Sequence, residues 1–342
     1  MYQSFYHLRE LPFELTLDPK YLFLTPRQRE ALSNLEYGLF AAKSLTVLTG
    51  DAGTGKTTLL RAALESERCR GVRCVYLNNP ALTRDEFINT LATRFDLGAA
   101  AAQSKAVLLD GLERVLRERR ARGEITALVI DEAQRLSTEL LEEVRLLANI
   151  ETATEKLLPL VLAGQPELAD RLEDPNLRQL KQRVALRCEI APFELAETAA
   201  YIASRIKTAG GVPSQLFTQE AVTLIHESSS GIPRTINVIC DNALVTGLAL
   251  DRQPVDRAVV GGVCRDFLLQ QGIGRGSPAP TSTVGANGYE TIRQPSTGRS
   301  PRPDGEAGSR GELFEQVSRP RRFRLFRSGE TVASLHRRGG RH

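Results

Sequence analysis

The sequence lacks any apolar run long enough to cross a membrane, and its N-terminus lacks the features of a secretory signal. The longest apolar run, residues 157–164, is well short of the ~18–20 residues that a bilayer-spanning helix needs. The first ten residues contain neither a basic n-region nor an apolar h-region. We therefore expect a cytoplasmic protein that does not itself span the membrane.

Cysteine is scarce, and its spacing fits neither a metal site nor a redox pair. The chain has no C-x-x-C pair and no histidine at metal-ligand distance from a cysteine. The sequence therefore predicts that the cysteines are free, buried side chains that behave as small apolar residues in a reducing compartment. The five cysteines are Cys69, Cys74, Cys188, Cys240 and Cys264.

Lysine is missing from residues 271–342, where all the basic side chains except histidine are arginines. This segment contains thirteen arginines and six acidic residues, which give it a net charge of +7, whereas the whole chain carries +4. The first 270 residues therefore carry −3. Gly, Ser and Pro make up 26 of the last 72 residues, a composition typical of disorder. We predict a globular body followed by a disordered Arg-rich tail at 271–342.

Within that body, β-branched apolar runs alternate with helical patterns up to residue 190. This alternation is typical of a parallel α/β sheet with helices on both faces. Capping signals at Thr83 and Ser137 predict the starts of two helices. The candidate strands are residues 45–48, 72–77, 125–130, 158–162 and 184–190.

After Pro192 the sequence contains only helical patterns, separated by turn signals at residues 210–211 and 228–231. We therefore predict an α/β core at 44–190 and an all-helical domain at 191–270. The helices are expected to start near Glu194, Thr218, Pro233 and Val255.

One segment between a predicted strand and a predicted helix fits the phosphate-binding pattern G-x-x-x-x-G-K-[ST]. Its glycines let backbone N–H groups turn toward phosphates, and the helix start adds the positive end of its dipole. Lys56 is expected to reach the β- and γ-phosphates of a bound nucleotide, and Thr57 to bind Mg²⁺. The predicted cofactor-binding residues are Gly50, Asp51, Ala52, Gly53, Thr54, Gly55, Lys56, Thr57 and Thr58.

Two carboxylates, Asp131 and Glu132, follow the apolar strand at 125–130. Alone, such a pair is more often the start of a solvated loop. Beside a phosphate-binding loop it is typical of nucleotide hydrolysis, with Asp131 as a Mg²⁺ ligand and Glu132 polarising the attacking water. Asn78 or Asn79, after the second strand, is a candidate hydrogen-bond partner that holds Glu132 away from the attacking water. The alternative is that these residues form an ordinary turn before proline.

Three further side chains are candidates for sensing or completing the site. Gln165 follows the fourth strand and is expected to orient the water near the γ-phosphate, unless it is only a turn residue before Pro166. Arg234 is expected to sense the γ-phosphate from a lid helix, the alternative being a solvated helix face. Arg183, with Arg178 as second choice, is a candidate arginine finger for a neighbouring subunit; otherwise it belongs to a basic helix face.

Six segments, in this order within residues 1–268, resemble AAA+ ATPases of the general secretion pathway protein A (ExeA) type, which are related to the ATPases of Mu-type and Tn7-like transposition. The resemblance implies a five-stranded parallel sheet of order 5-1-4-3-2, a helical lid, ATP with Mg²⁺, and sites at the subunit interfaces of a homo-oligomer. The segments are the first 32 residues, LTGDAGTGKTTLLRA, LVIDEAQRLS, LAGQPELADRL, LRQLKQRV and SGIPRTIN.

The resemblance also implies that the N-terminal segment, residues 1–43, packs on the ATPase core near the adenine of ATP. Residues 21–25 and Pro26 then become candidates for the base pocket. A strap over a hydrophobic groove is the alternative.

Two functions remain open from the sequence. One is an ATP-hydrolysing switch in bacterial secretion or polysaccharide export, acting on protein partners through nucleotide-dependent oligomerisation. The other is an ATP-dependent DNA-binding regulator of the transposition type, whose tail contacts phosphates. The same tail also suits anionic lipid at the inner membrane, which would make the protein peripheral there, or serves only solubility. The tail residues concerned are Arg319, Arg321, Arg322, Phe323, Arg324, Phe326 and Arg327.

Overall fold

The structure, a computed structural model, describes residues 1–15, 18–78 and 81–272, and only the backbone of residues 267–272. The predicted tail lies outside the described residues, apart from residues 271 and 272 at the end of the last helix. Asn79 is also outside them. Along the part that is described, no helix combines the length and the apolar character needed to cross a bilayer.

Five parallel strands form one sheet in the order β2-β3-β4-β1-β5, which confirms the predicted order read from the other edge. Side chains of β3 alternate between its two faces, Leu128 and Ile130 on one and Ala127 and Val129 on the other, and each pair belongs to a separate core. The central strands are therefore apolar on both sides. The strands are β1 (Leu45–Gly50), β2 (Val72–Leu77), β3 (Ile125–Ile130), β4 (Leu160–Gly164) and β5 (Val184–Ile190).

Eight α-helices precede or connect these strands in the described residues. Both predicted caps are confirmed: Thr83 and Ser137 each accept a hydrogen bond from a backbone N–H in the first turn of the helix that follows. The helices are α1 (Pro26–Phe40), α2 (Lys56–Glu65), α3 (Arg84–Arg94), α4 (Ala99–Gln103), α5 (Lys105–Ala121), α6 (Thr138–Leu147), α7 (Pro166–Leu172) and α8 (Arg178–Lys181).

The second region is a helical lid that follows β5. Gly231, with φ +70°, makes the turn between two of its helices against Phe193, just beyond β5. A Cβ at that position would overlap the carbonyl oxygen of Phe193, so the close approach requires glycine. The lid helices are α9 (Leu195–Thr208), α10 (Pro213–Leu216), α11 (Gln219–Ser229), α12 (Pro233–Ala249) and α13 (Arg257–Gly272).

The N-terminal segment divides between the two regions, which corrects the prediction that all of residues 1–43 pack on the ATPase core. Helix α1 does lie on the sheet, where Leu35 and Leu39 join the core beneath β1 and α2. The residues before it, 1–15 and 18–25, are called the strap. Aromatic and aliphatic side chains of the strap enter the hydrophobic core of the lid, where they pack against residues of α9, α11, α12 and α13. They are Tyr2, Tyr6, Leu8 and Phe13.

Candidate nucleotide-binding site

A cavity of about 450 Å³ opens where the sheet, the strap and the lid meet. This volume is in the range of small-molecule sites. Its wall has two parts. One, called the phosphate end, consists of residues 53–58 together with Glu132. The other, called the strap end, consists of strap and lid side chains, chiefly Tyr21, Leu22, Phe23, Phe193, Tyr201 and Arg205.

The phosphate end is a glycine loop that turns directly from β1 into α2. Gly53 and Gly55 have φ angles of +85° and +101°, which ordinary side chains rarely adopt. Thr54 is buried, and its hydroxyl donates to the carbonyl oxygen of Asp51 at 2.8 Å. The loop therefore holds its backbone around the N-terminus of α2, the arrangement that attracts phosphate. Of the nine predicted residues, Gly50, Asp51 and Ala52 stand outside the cavity wall and the other six line it.

Lys56 lies at the bottom of this loop and is only 5% exposed. Its ammonium group donates to the carbonyl oxygens of Gly50 at 2.7 Å and Asp51 at 2.9 Å. Burial lowers the pKa of Lys56, and the carboxylates of Glu132 and Asp131 partly oppose that shift. Because neutral carbonyls are weak partners for a buried cation, a phosphate anion would be a stronger one.

Asp131, at the end of β3, faces the start of α2. Its Oδ2 accepts hydrogen bonds from the hydroxyls of Thr57 and Tyr76, each at 2.7 Å. The hydroxyl and carboxylate oxygens of Thr57 and Asp131 are hard ligands within reach of one another, which fits a Mg²⁺ ion between them. Tyr76 was missed by the sequence analysis, although it lies on β2 beside β3. Burial, and then the bond to Asp131, raises the pKa of Tyr76.

Glu132 lines the cavity in a left-handed backbone conformation, with φ +55°. Its carboxylate accepts a hydrogen bond from Gln134 Nε2 at 2.7 Å. This differs from the predicted partner, Asn78 or Asn79, because the sharp turn after β3 returns Gln134 onto Glu132. Asn78 is exposed, and Asn79 lies outside the described residues.

Gln165 is at the carboxyl end of β4, as predicted, where it precedes α7. Its backbone N–H donates to Gln134 Oε1 at 3.1 Å. Gln165 is not among the described residues that line the cavity. The side-chain amide that donates to Glu132 is that of Gln134.

Arg234 lies in the first turn of α12 and lines the cavity beside the loop. Its backbone N–H donates to the carbonyl oxygen of Gly53 at 3.2 Å. A Cβ on Gly53 would lie 2.9 Å from Cβ of Arg234, so the missing side chain permits this approach. The lid thus contacts the glycine loop directly at Arg234.

The two candidate finger residues lie elsewhere. Arg178 is exposed as the first residue of α8, and Arg183 is half-exposed just before β5. Neither is part of the cavity wall within the described residues. A residue that serves a neighbouring subunit needs such a position, which leaves the hypothesis open for both.

Arg205 holds the strap end together. Its guanidinium is buried and donates to the carbonyl oxygens of Pro12 at 2.5 Å and Glu14 at 3.0 Å, and to the hydroxyl of Tyr201 at 2.8 Å. It also lies over the ring of Tyr21, 4.6 Å from the centroid. One lid side chain therefore fixes three parts of the wall.

The base-pocket candidates divide at the start of α1. Residues 21–24 line the cavity. Thr25 instead caps α1 in a capping box with Gln28, and Pro26 is the first residue of that helix. Arg205 was not predicted from the sequence, since no short motif surrounds it.

Comparisons with known proteins agree with this arrangement. The AAA domain family matches residues 41–172. General secretion pathway protein A of Aeromonas hydrophila is 39% identical over 249 residues, which cover 73% of this chain and 45% of that protein. The chain thus spans less than half the length of that relative.

Solved structures share the fold. Drosophila ORC bound to DNA superposes with a TM-score of 0.57 at 19% identity, over 78% of this chain and 67% of that one. The ORC2 protein of Aeropyrum pernix, in its ADPNP-ADP complexes, gives 0.54 at 16% identity, over 75% and 71%. Identities this low show the fold alone. The AAA domain at residues 41–172, the phosphate loop, the strand order and the relative from Aeromonas together indicate an AAA+ ATPase that is similar to general secretion pathway protein A.

Proposed function

We propose that this chain is an ATP-driven switch in bacterial secretion or polysaccharide export, which acts on protein partners and changes its oligomeric state as ATP is bound and hydrolysed. The observation that carries the proposal is the 39% identity to general secretion pathway protein A. The cavity supports it, because the phosphate loop, two carboxylates and a lid arginine meet there.

Binding begins at the phosphate end. The N–H groups of the loop and the ammonium of Lys56 take the β- and γ-phosphates, and Lys56 exchanges its carbonyl partners for charged ones. Thr57 and Asp131 would hold Mg²⁺, which neutralises charge on the phosphates. Lys56 and the loop therefore supply most of the affinity for ATP.

Hydrolysis then depends on Glu132 as a general base. Its carboxylate accepts a proton from water while the water oxygen bonds to the γ-phosphorus and the bond to ADP breaks. Gln165, which was predicted to orient that water, follows β4 without lining the cavity among the described residues, so Glu132 carries this step. Arg234, whose backbone N–H bonds Gly53, contacts the γ-phosphate from the lid, so that loss of this phosphate removes one of the contacts between the lid and the site.

The Glu132→Gln variant tests this chemistry. It should bind ATP as the parent does but lose turnover by about 10²–10⁴-fold, because an amide keeps the shape but accepts no proton. Steady-state phosphate release and ATP affinity are measured together. Comparable hydrolysis in the variant would exclude Glu132 as the base.

A mixing experiment tests the shared site. Arg183→Ala should keep the ATP affinity of the isolated subunit and reduce hydrolysis in the assembled form. Mixed with Glu132→Gln, it restores interfaces that contain one intact Glu132 and one intact Arg183, so activity should partly return. If mixed oligomers form without any recovery, Arg183 has no trans role, and Arg178→Ala is tested in the same way.

The partner machinery is tested by co-purification with Glu132→Gln, which holds ATP, against Lys56→Ala, which does not. Components of a secretion or export system should be retained only by the ATP-holding form. Salt-dependent binding to duplex DNA that disappears when residues 273–342 are removed would instead support the DNA-binding alternative. The same truncation with vesicles of anionic lipid tests peripheral membrane binding.

A further inference from the structure

Gln134 joins the turn after β3 to the end of β4. Its Nε2 donates to Glu132 Oε2 at 2.7 Å, and its Oε1 accepts from the backbone N–H of Gln165 at 3.1 Å. A backbone N–H only donates, so the amide orientation is fixed: the oxygen faces Gln165 and the nitrogen faces Glu132. The Gln134 amide thus forms hydrogen bonds through both its nitrogen and its oxygen.

The turn that carries Gln134 is held from the other side by α7. Arg171 Nη1 donates to the carbonyl oxygens of Gln134 at 2.7 Å and Leu136 at 2.5 Å. Glu132 itself has φ +55°, a conformation that costs free energy unless its surroundings stabilise it. The contacts from α7 fix the backbone of the turn, and the amide then determines where the carboxylate lies.

Gly164 provides the space for this amide. A Cβ at Gly164 would lie 2.8 Å from Gln134 Oε1 and 2.9 Å from a methyl group of Leu168. The last residue of β4 therefore has to be small for Gln134 to reach the N–H of Gln165. The amide occupies a slot that the fold leaves open for it.

We propose that Gln134 is a positioning residue for ATP hydrolysis. By holding Oε2 of Glu132, it directs Oε1 of the same carboxylate toward the attacking water, and it links that carboxylate to the end of β4, where Gln165 lies. This rests on the proposed role of Glu132 as the base. Gln134 contacts neither ATP nor water in this scheme and acts through Glu132 alone.

The substitution Gln134→Ala tests the proposal. It should lower kcat by about 10-fold or more, since a misplacement of about 1 Å of a catalytic group can cost up to ~10²-fold. The KM for ATP should stay within about twofold, because the loop and Lys56 are untouched. Gln134→Glu, nearly equal in volume, replaces the donor by a second carboxylate facing Glu132, so kcat should fall further. Gln215→Ala, at an exposed glutamine of α10, is the control and should match the parent.

A double-mutant cycle separates positioning from a general structural effect. In the Glu132→Gln background, Gln134→Ala should cause no further loss of the residual turnover, because the carboxylate that it positions is already gone. Parent-like or faster hydrolysis by both Gln134→Ala and Gln134→Glu would overturn the proposal without affecting the assignment of ATPase activity. The proposal would also be overturned if Gln134→Ala lowered turnover in the Glu132→Gln background as much as it does in the parent. A parent chain that does not hydrolyse ATP would remove the proposed function, and this inference with it.

Discussion

At the phosphate end of the cavity, the wall comes from two short segments that follow β1 and β3, whereas at the strap end it comes from residues far apart in the chain. Arg205 binds carbonyls of Glu14 and Pro12, which are 191 and 193 positions away. The phosphate end is polar and built largely from backbone geometry. The strap end is aromatic and depends on one buried cation. Affinity for ATP and stability of the fold should therefore separate between the two ends.

The largest effect should come from breaking the phosphate end. Lys56→Ala removes a charged phosphate partner, so ATP affinity should fall by about 100-fold, roughly 3 kcal/mol. The fold should stay intact, because a loop contact is lost and no core volume changes. Calorimetric titration with Mg·ATP and circular dichroism are measured together, with Lys207→Ala, at an exposed lysine of α9, as control. Parent-like binding would refute the phosphate-loop assignment.

A substitution at the strap end should lower the stability of the fold, whereas Lys56→Ala lowers the affinity for ATP. Arg205→Met keeps the apolar stem of the side chain but leaves the carbonyls of Pro12 and Glu14 and the hydroxyl of Tyr201 without their donor. The free energy of unfolding should fall by about 3 kcal/mol. Chemical denaturation of Arg205→Met and of Lys207→Met, on the same helix, makes the measurement. Equal stability of the two variants would show that Arg205 does not fix the strap.

The third and smallest effect is on the pH dependence of ATP binding at the phosphate end. Burial lowers the pKa of Lys56, and only its protonated form attracts phosphate. Affinity for ATP should therefore weaken as pH rises through this lowered pKa, approaching roughly tenfold per pH unit. The loss should begin at a lower pH than for an exposed lysine. Lys56→Arg, which stays charged, should flatten the slope whatever its absolute affinity. A flat parent profile up to about 10.4, the ordinary lysine pKa, would contradict the prediction.

The difference between the two ends also explains what the sequence could predict. The loop around Lys56, the carboxylates after β3 and the caps at Thr83 and Ser137 depend on residues within a few positions of each other, so a short pattern carries them. The apolar pattern predicts the fourth strand at 158–162, but β4 runs Leu160–Gly164, because Pro159 has no N–H to join the ladder.

The rest required the folded chain. The contact of Gln134 with Glu132 depends on a left-handed turn that a motif does not specify. The strap was expected on the ATPase core, since its aromatic residues alone do not indicate which apolar surface accepts them. Only the juxtaposition of Tyr6 and Phe13 with the lid helices decides this.

The strap has a consequence for synthesis of the chain on the ribosome. Tyr2 donates to Asp241 at 2.5 Å, and the two residues are 239 positions apart. At ~5–20 residues per second, the strap emerges on the order of ten seconds or more before its binding surface exists. Tyr6 and Phe13 stay in water during that interval, as ready targets for chaperones. Completion of the lid is therefore the step that withdraws them, and nascent chains that stop before α12 should be the most prone to aggregate.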